Sequence, residues 1–260
     1  MIIRKTPAEI EQMRAAGAVA ARCLKDLSEL IVPGATTTRD IDRMAEELIC
    51  RYGGISSFKN YRGYPNTVCV AVNEEVVHGI PSERVLVPGD IVGLDIGVIV
   101  DGWHGDAAIS MAVGGTASAS ALALLKVTKE ALYKGIEQAR PGNRLSDIGH
   151  AVQAYVEKRG YSVVRELVGH GIGRNLHEEP NVPNYGRPGK GVRLQEGMTL
   201  AIEPMVNIGG MEVETLTDNW TVVTADRSLS AHFEHTVALT KNGPDILTLL
   251  PIQGPGISYG

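Results

Sequence analysis

"GLDIGVIVDGWHGDAAIS", residues 93–110, predicts two apolar β-strand segments around a turn. Asp95 and Asp106 lie in the middle of those segments. A buried carboxylate without a partner is costly, so it usually titrates, pairs with a positive side chain or binds a cation. The two aspartates are therefore candidates for a functional site inside a sheet.

The composition is that of an ordinary globular protein. The 260 residues are 43% hydrophobic and 21% charged, and the net charge at pH 7 is -5. A chain of this length forms one large domain or two small ones. It has no long run of lysine or arginine and no run of about 18 apolar residues. The sequence therefore predicts no nucleic-acid partner and no membrane association.

Three cysteines, Cys23, Cys50 and Cys69, indicate a reducing compartment. They are few, odd in number and without CxxC spacing, which argues against a disulfide framework or a structural zinc site. The N-terminal segment MIIRKTPAEI lacks the apolar core of a signal peptide. We therefore expect a soluble cytoplasmic protein.

Four segments have the signals of α-helices. Thr6, Pro7 and Glu9 predict a capping box at the start of the first one. Glycines follow the expected ends of the second and fourth helices. The predicted helices are residues 7 to about 30, a second through about Arg51, residues 118–139 and one within 141–161, with short strands over 65–113 and again from Tyr161 to the end.

The sequence repeats itself at an offset of 107 or 108 residues. The stretch PGATTTRDI (residues 33–41) matches PGNRLSDI (residues 141–148), and each leads into an amphipathic helix. The strand carboxylates repeat at the same offset, with Asp95 matched by Glu203. An offset shared by a helix entry and a later carboxylate argues for two related halves.

The halves, roughly residues 1–115 and 116–250, each have the order helix, helix, strands. This order favours an α+β fold in which two αβ halves surround a shared, mostly antiparallel sheet. No linker-like or low-complexity segment separates them, so we predict a single domain over residues 1–260. Asp95 and Glu203 would then approach the interface between the halves.

Five candidate metal ligands lie in apolar strand segments: Asp95, Asp106, His170, Glu203 and Glu234. Four carboxylates and one imidazole suit two divalent first-row ions such as Mn²⁺, Fe²⁺ or Co²⁺, whereas structural zinc would need cysteine or more imidazole. Each carboxylate alone has another explanation: a strand edge or bulge, a strand end at Glu203, or an ion pair with a surface lysine at Glu234. Four in apolar strands, two of them related by the repeat, favour the metal site.

The other histidines differ in their expected roles. His78 lies at a turn beside a glycine and could line a cleft. His177 opens the motif HEEPN, which lacks the second histidine of an HExxH zinc site. We expect a structural role for His104, and strand alternation places His235 on the opposite face from Glu234.

At these residues the sequence resembles the type I methionine aminopeptidases of bacteria, over nearly the whole chain. Glu203 and Glu234 are 31 residues apart, which leaves no room for the helical subdomain that type II enzymes insert there. The resemblance implies the pita-bread fold, with two pseudo-symmetric αβ halves, and the metal-dependent hydrolytic removal of N-terminal methionine when the second residue is small. It is carried by GYPNTVCVAVNEEVVHGIP, GDIVGLDIGVIVDGWHGDAA, GHGIGRNLHEEPNVPNYG, GMTLAIEPM and DNWTVVTADRSLSAHFEHTV.

The resemblance also implies a role for each site residue. Asp106 and Glu234 match carboxylates that bridge two metal ions, and Glu203 also matches the general base. His78 matches the residue that contacts the scissile amide, and His177 matches the residue that stabilises the tetrahedral intermediate. The full set of matched metal ligands is Asp95, Asp106, His170, Glu203 and Glu234.

The methionine side-chain pocket is the part that departs from the family pattern. Phe58 stands where a cysteine is often found, and Leu176 stands where an aromatic residue is often found. His232 stands where glutamine is expected, and the sequence provides no functional account of it. The positions that match the pocket are Tyr61, Tyr64, Cys69 and Trp220.

The implied cofactors are two divalent metal ions, Mn, Fe or Co, with Zn possible. The implied partners are nascent polypeptide N-termini, with transient ribosome contact and a monomeric state as further expectations. Two rival functions stay open. One is an aminopeptidase with another first-residue preference, which the altered pocket positions allow. The other is a pita-bread protein that only binds a partner, although all five ligands and both histidines are present.

Overall fold

A computed structural model describes residues 1–250 of the chain. Over these residues the helices are α1 (Pro7–Leu30), α2 (Thr38–Arg51), α3 (Ala119–Gln138) and α4 (Leu145–Glu157). The strands are β1 (Ile55–Ser56), β2 (Cys69–Val72), β3 (Glu75–Val77), β4 (Ile91–Val100), β5 (Trp103–Ala112), β6 (Ser162–Val163), β7 (Gly169–Gly171), β8 (Glu178–Val182), β9 (Thr199–Ile202), β10 (Met205–Asn207), β11 (Val213–Thr215), β12 (Val222–Thr224), β13 (Ser230–His232), β14 (Glu234–Thr240) and β15 (Gly243–Ile246).

The main sheet of residues 1–250 has nine strands in the order β1-β4-β5-β14-β9-β7-β8, with β2 paired to β4 and β15 paired to β14. Neighbouring strands are antiparallel, as in the β4–β5, β5–β14 and β14–β9 pairs. Two small three-stranded sheets, β13-β10-β6 and β11-β12-β3, lie beside it. The mostly antiparallel sheet predicted from the sequence is confirmed.

Two similar halves meet in the main sheet between β5 and β14. The helix α2 begins 107 residues before α4, and β4 begins 108 residues before β9. Each half places an outer strand beside its central one, β2 beside β4 and β7 beside β9. The offset in the sequence is therefore the offset between equivalent elements, and the two-half α+β prediction is confirmed.

The helix ends follow the local sequence signals. The Thr6 side chain accepts a hydrogen bond from the Glu9 backbone N–H, and Glu9 accepts one from Thr6 in return. Thr37 and Asp40 form the same capping box at α2. The chain leaves α2 through Gly53, whose φ of 80° lies in the left-handed region that glycine adopts without strain.

The central hairpin is longer than the short strands predicted over residues 65–113. The strands β4 and β5 have ten residues each and pair along their full length. The turn between them is Asp101-Gly102, with both residues at positive φ. A two-residue turn of this kind matches the twist of the flanking strands, so pairing continues to their ends. Within residues 65–113, only β2 and β3 are as short as predicted.

The helix α1 lies directly on the hairpin because neither surface has a side chain at the crossing. A Cβ added at Gly105 of β5 would lie 2.5 Å from the backbone N of Gly17 in α1. Around this crossing, Leu27 of α1 and Leu94 of β4 belong to one buried hydrophobic cluster. The hairpin that carries Asp95 and Asp106 is therefore fixed against the first helix.

The second half is packed in the same way. Leu132 of α3 and Ile148 of α4 share a buried cluster with Leu200 of β9 and Val237 of β14.

All three cysteines are free, as predicted. Among residues 1–250, no helix is long and apolar enough to cross a bilayer.

We expect Gly105→Ala to destabilise the protein by about 3 kcal/mol, because the added methyl group meets helix backbone that cannot move aside. Gly93→Ala in the adjacent strand is the matched control. Its Cβ would approach nothing closer than 3.4 Å, so the change should be under about 1 kcal/mol. Urea unfolding of both variants measures the difference. Equal stabilities would show that the crossing is not tightly packed.

Candidate metal centre

A cavity of about 270 Å³ opens at the centre of the main sheet. All twelve site residues predicted from the sequence line it. The twelve are Phe58, Tyr61, Tyr64, Cys69, His78, Asp95, Asp106, His170, His177, Glu203, Trp220 and Glu234.

The strand register brings the acidic residues together. Asp95 on β4 and Glu234 on β14 are both paired with Ala108 of β5, one from each side. Asp106 is two residues from Ala108 on the same strand and therefore on the same face. Since Ala108 has only a methyl group, it leaves space between the carboxylates that surround it.

The second half contributes a histidine and a glutamate to the same face. His170 on β7 is paired with Ala201 of β9, two residues before Glu203. His170 Nε2 lies 3.8 Å from Asp106 Oδ2 and 3.6 Å from Glu203 Oε1. Donor atoms of Asp106, His170 and Glu234 all lie within 4.8 Å of one another, and all three residues are buried.

The proton of His170 is located by its backbone partner. Its Nδ1 lies 2.8 Å from the carbonyl oxygen of Gly171, and only an N–H can donate to a carbonyl. Burial lowers the pKa of His170 to about 4, so the ring is neutral at pH 7. Its Nε2 therefore presents a lone pair to Asp106 and Glu203, which is the orientation of a metal-binding imidazole.

Several buried oxygens of this cluster have no hydrogen-bond partner. They are Asp95 Oδ1, Asp106 Oδ1 and Glu234 Oε1. Such atoms are costly to bury without a partner. Together with the His170 lone pair they form a set of acceptors facing one another, and a cation satisfies all of them. The donor set therefore fits divalent metal ions that favour oxygen and imidazole ligands.

The carboxyl groups hold their protons tightly because they are buried and close together. Burial, and then the neighbouring Asp106, raise the pKa of Asp95. The pKa of Asp106 is raised to about 7, mainly by burial. Burial and the other carboxylates also raise the pKa values of Glu203 and Glu234. A bound cation reverses this trend, since positive charge favours the ionised carboxylates.

Two further histidines, His78 and His177, line the same cavity. The His177 ring stacks on Tyr61 with centroids 5.3 Å apart, and its Nδ1 lies 2.9 Å from the Tyr61 hydroxyl. The same ring is 4.1 Å from that of His170. His78 has a positive φ of 58°, an uncommon conformation for a residue other than glycine that is found at functional sites.

Aromatic and apolar side chains form the rest of the cavity wall. The rings of Tyr64 and Trp220 meet edge to face at 5.1 Å, and those of Phe58 and Tyr64 at 6.5 Å. Cys69 and Leu176 are buried in the same hydrophobic cluster. Burial raises the pKa of the Cys69 thiol, so this sulfur is a neutral, apolar contact.

Comparison with known proteins decides the family. Residues 11–241 match metallopeptidase family M24. The chain belongs to this family. It is 55% identical over 250 residues to "Methionine aminopeptidase" of Clostridium acetobutylicum, covering 96% of this chain and 99% of that protein. It is 54% identical over 248 residues to "Methionine aminopeptidase 1" of Bacillus subtilis, covering 95% and 99%. The resemblance found in the sequence is thereby confirmed.

Solved structures agree with this assignment. The methionine aminopeptidase from Rickettsia prowazekii superposes with a TM-score of 0.94 at 44% identity, covering 96% of this chain and 100% of that chain. The prolidase from Pyrococcus furiosus superposes with a TM-score of 0.78 at 23% identity, covering 96% and 66%, which shows a shared fold alone. The pita-bread prediction is confirmed.

Three histidines of this M24 protein lie near the centre but outside the cavity wall. His104 Nδ1 lies 2.9 Å from Ser57 Oγ and its backbone bonds Gly173, which agrees with the predicted structural role. His235 contacts Thr248 Oγ1 at 2.9 Å on the far side of the strand. His232 is buried directly behind Glu203.

Some cavity residues were not found from the sequence. They are apolar or exposed and carry no chemical signature, and Leu167 and Val168 come from a loop whose position depends on the fold. The only signal available was proximity in sequence to a predicted ligand, as for Met205 after Glu203. The missed residues are Arg62, Val77, Leu167, Val168 and Met205.

We expect the metal-free protein to lose stability, relative to Asp106→Asn, as the pH rises from 4 to 7. A raised pKa means that the folded state binds the Asp106 proton more tightly than the unfolded chain, so this contribution is present at low pH and disappears as the group ionises. Its size is on the order of 4 kcal/mol. Urea unfolding of both proteins in EDTA across this range measures it.

The buried histidines change stability with pH in the opposite direction. Both proteins contain these histidines, so comparing the wild-type protein with Asp106→Asn cancels their contribution. Excess Mn²⁺ should abolish the loss at pH 7 in the wild-type protein by favouring the ionised form. A constant difference between the two proteins from pH 4 to 7 would show that Asp106 is not desolvated in the fold.

Proposed function

We propose that the chain removes N-terminal methionine from polypeptides by metal-dependent hydrolysis when the second residue is small. The observation that carries the proposal is that a buried cluster of carboxylates and His170 lines the same cavity as apolar residues and Cys69. The names of the relatives in Clostridium acetobutylicum and Bacillus subtilis support the same activity.

In this proposal two metal ions would be held by Asp95, Asp106, His170, Glu203 and Glu234, and Asp106 and Glu234 would be the carboxylates shared between them. The position of Asp106 between Asp95 and His170 supports its sharing. Mn²⁺, Fe²⁺ and Co²⁺ suit this donor set, and Zn²⁺ is possible. When bound, the ions polarise the scissile carbonyl and make an attacking water more acidic.

Glu203 is the proton carrier. Its side chain is 15% exposed, which makes it more accessible than Asp106 and His170, and it lines the cavity. Burial and the nearby aspartates raise the pKa of Glu203 in the metal-free protein. Glu203 takes the proton from the attacking water and returns it to the departing amine.

His177 and His78 act on the peptide itself. The Tyr61 hydroxyl engages His177 Nδ1, which leaves Nε2 available to stabilise the oxygen of the tetrahedral intermediate. His78 contacts the scissile amide. Burial lowers the pKa of His78, so it is neutral at pH 7 and can both donate and accept a hydrogen bond.

The apolar wall selects the side chain. A flexible thioether fits between Phe58, Cys69 and Trp220, where aromatic faces and a thiol provide soft contacts. The requirement for a small second residue is part of what the resemblance to methionine aminopeptidases implies, and His78 and His177 line the cavity where the peptide would continue.

The biological setting belongs to the same proposal. The substrates are nascent polypeptide N-termini, the location is the cytoplasm, and the protein acts as a monomer with at most transient ribosome contact. The halves are proposed to form a single catalytic domain because β5 and β14 join them in one sheet. Residues 251–260 of the predicted domain lie outside the described residues.

Hydrolysis of Met-Ala-Ser by EDTA-stripped protein, with each divalent metal added back in turn, tests this function. We expect Mn²⁺, Fe²⁺ or Co²⁺ to restore cleavage, and Asp95→Ala to abolish it while the protein stays folded. Leu-Ala-Ser and an Xaa-Pro peptide serve as competitors. Preferred cleavage of either would favour the rival aminopeptidase, and metal binding without any cleavage would favour the binding protein.

The pocket predicts a second result. Cys69→Leu should lower kcat/KM for Met-Ala-Ser about tenfold or more, because two additional heavy atoms enter the space of the methionine side chain. Cys50→Leu, at an exposed position on α2, is the control and should leave kcat/KM unchanged. Steady-state kinetics under Mn²⁺ saturation measure both variants. An unchanged kcat/KM in Cys69→Leu would show that methionine binds elsewhere.

A further inference from the structure

His232 is a buried histidine whose side chain the proposed mechanism does not use. It ends β13 and is only 4% exposed. Its Nε2 is buried and has no hydrogen-bond partner. Unsatisfied buried nitrogens of this kind are rare and require an explanation.

The unpartnered nitrogen of His232 points at Glu203. His232 Nε2 lies 3.9 Å from Glu203 Oε2, while His170 Nε2 lies 3.6 Å from Oε1 of the same carboxylate. The Glu203 carboxylate therefore lies between two imidazoles, one near each oxygen. His170 lines the cavity but His232 does not, so His232 lies behind the carboxylate, away from the substrate.

The backbone that carries His232 is fixed on both sides. It pairs with Met205 across β10 and β13. Ser110 Oγ of β5 donates to the His232 carbonyl at 2.7 Å and accepts from its N–H at 3.0 Å. The Glu203 carbonyl in turn accepts from Asn184 Nδ2 at 3.0 Å. The two side chains thus face each other from rigid positions.

We infer that His232 is a positioning residue for Glu203, donating an N–H from Nε2 to Glu203 Oε2 and thereby holding Oε1 toward His170 and the cavity. The 3.9 Å separation is about 1 Å longer than a hydrogen bond, and hydrogen bonds of catalytic groups are often long until substrate binds. The inference rests on the proposed function, in which Glu203 carries the proton.

The alternative role for His232 is direct metal ligation. It is disfavoured because the Glu203 carboxylate lies between His232 and the other ligands, and because His232 is absent from the cavity wall. The two roles make different demands on the side chain. The amide of glutamine can take over the role of a hydrogen-bond donor, but it cannot take over the role of a nitrogen ligand to a metal.

The test compares His232→Gln, which keeps an N–H donor, with His232→Leu, which removes it. His235→Gln is the control, since His235 is a partly buried histidine three residues away that contacts Thr248 rather than the cavity. Three quantities are measured: kcat and KM for Met-Ala-Ser, Mn²⁺ affinity by calorimetry without substrate, and the visible spectrum of the Co²⁺-loaded protein. If His232→Leu does not fold, His232→Met replaces it.

The inference predicts a pattern across the variants. In His232→Leu, kcat falls about 10- to 100-fold with KM unchanged, and Mn²⁺ binds about tenfold more weakly, as for the loss of other residues that orient metal ligands. In His232→Gln, kcat and Mn²⁺ affinity stay within about threefold of the wild-type values, and the Co²⁺ spectrum is unchanged. His235→Gln matches the wild-type protein.

Two outcomes would overturn the inference. If His232→Gln loses Mn²⁺ affinity and changes the Co²⁺ spectrum as much as His232→Leu does, His232 is a metal ligand. If both variants match the wild-type protein, His232 only fills space. Should the wild-type protein bind Mn²⁺ but cleave no methionine peptide, the proposed function fails, while the Mn²⁺ and Co²⁺ measurements still decide the role of His232.

Discussion

The mutual repulsion of buried carboxylates is the constraint on which the rest of this structure depends. Asp106 and Glu234 are 4% and 2% exposed, and Asp95 and Glu203 lie beside them with raised pKa values. Such a cluster is stable only when protons or cations neutralise it. The cluster therefore lowers the free energy of unfolding while it forms a site for divalent ions, and the surrounding framework has to supply the stability that is lost.

The framework supplies it by duplication and close packing. Each half places a central strand, β4 or β9, beside the junction of β5 and β14. The acidic residues converge from both halves, so neither half contains the cluster by itself. On the first half, the crossing of Gly17 and Gly105 brings helix backbone against strand backbone. This close packing fixes β5, which carries Asp106, against the first helix.

Much of the fold and the site could be predicted from the sequence because the relevant signals are local or periodic. The capping boxes at Thr6 and Thr37 depend on residues three positions apart. The repeat was visible because Asp95 and Glu203 have the same spacing as their preceding loops. The five ligand candidates could be identified because charged residues in apolar strands are rare, and the structure places all five around one cavity.

Other features could not be predicted because they depend on contacts between distant residues. The ten-residue length of β4 and β5 depends on pairing that continues along both strands. The tautomer of His170 depends on the Gly171 carbonyl, and the partner of His232 depends on the packing of β13 against β10. Leu167 and Val168 line the cavity only because of the course that their loop takes in the folded chain.

The central proposal is that the acidic cluster holds two divalent ions between the halves. Anomalous X-ray diffraction from crystals of the Mn²⁺-loaded protein tests this most directly. The account predicts two Mn²⁺ peaks inside the cavity, both in contact with Asp106 and Glu234, one also near Asp95 and the other near His170 and Glu203. Crystals saturated with Mn²⁺ that show no peak within the cluster would contradict it.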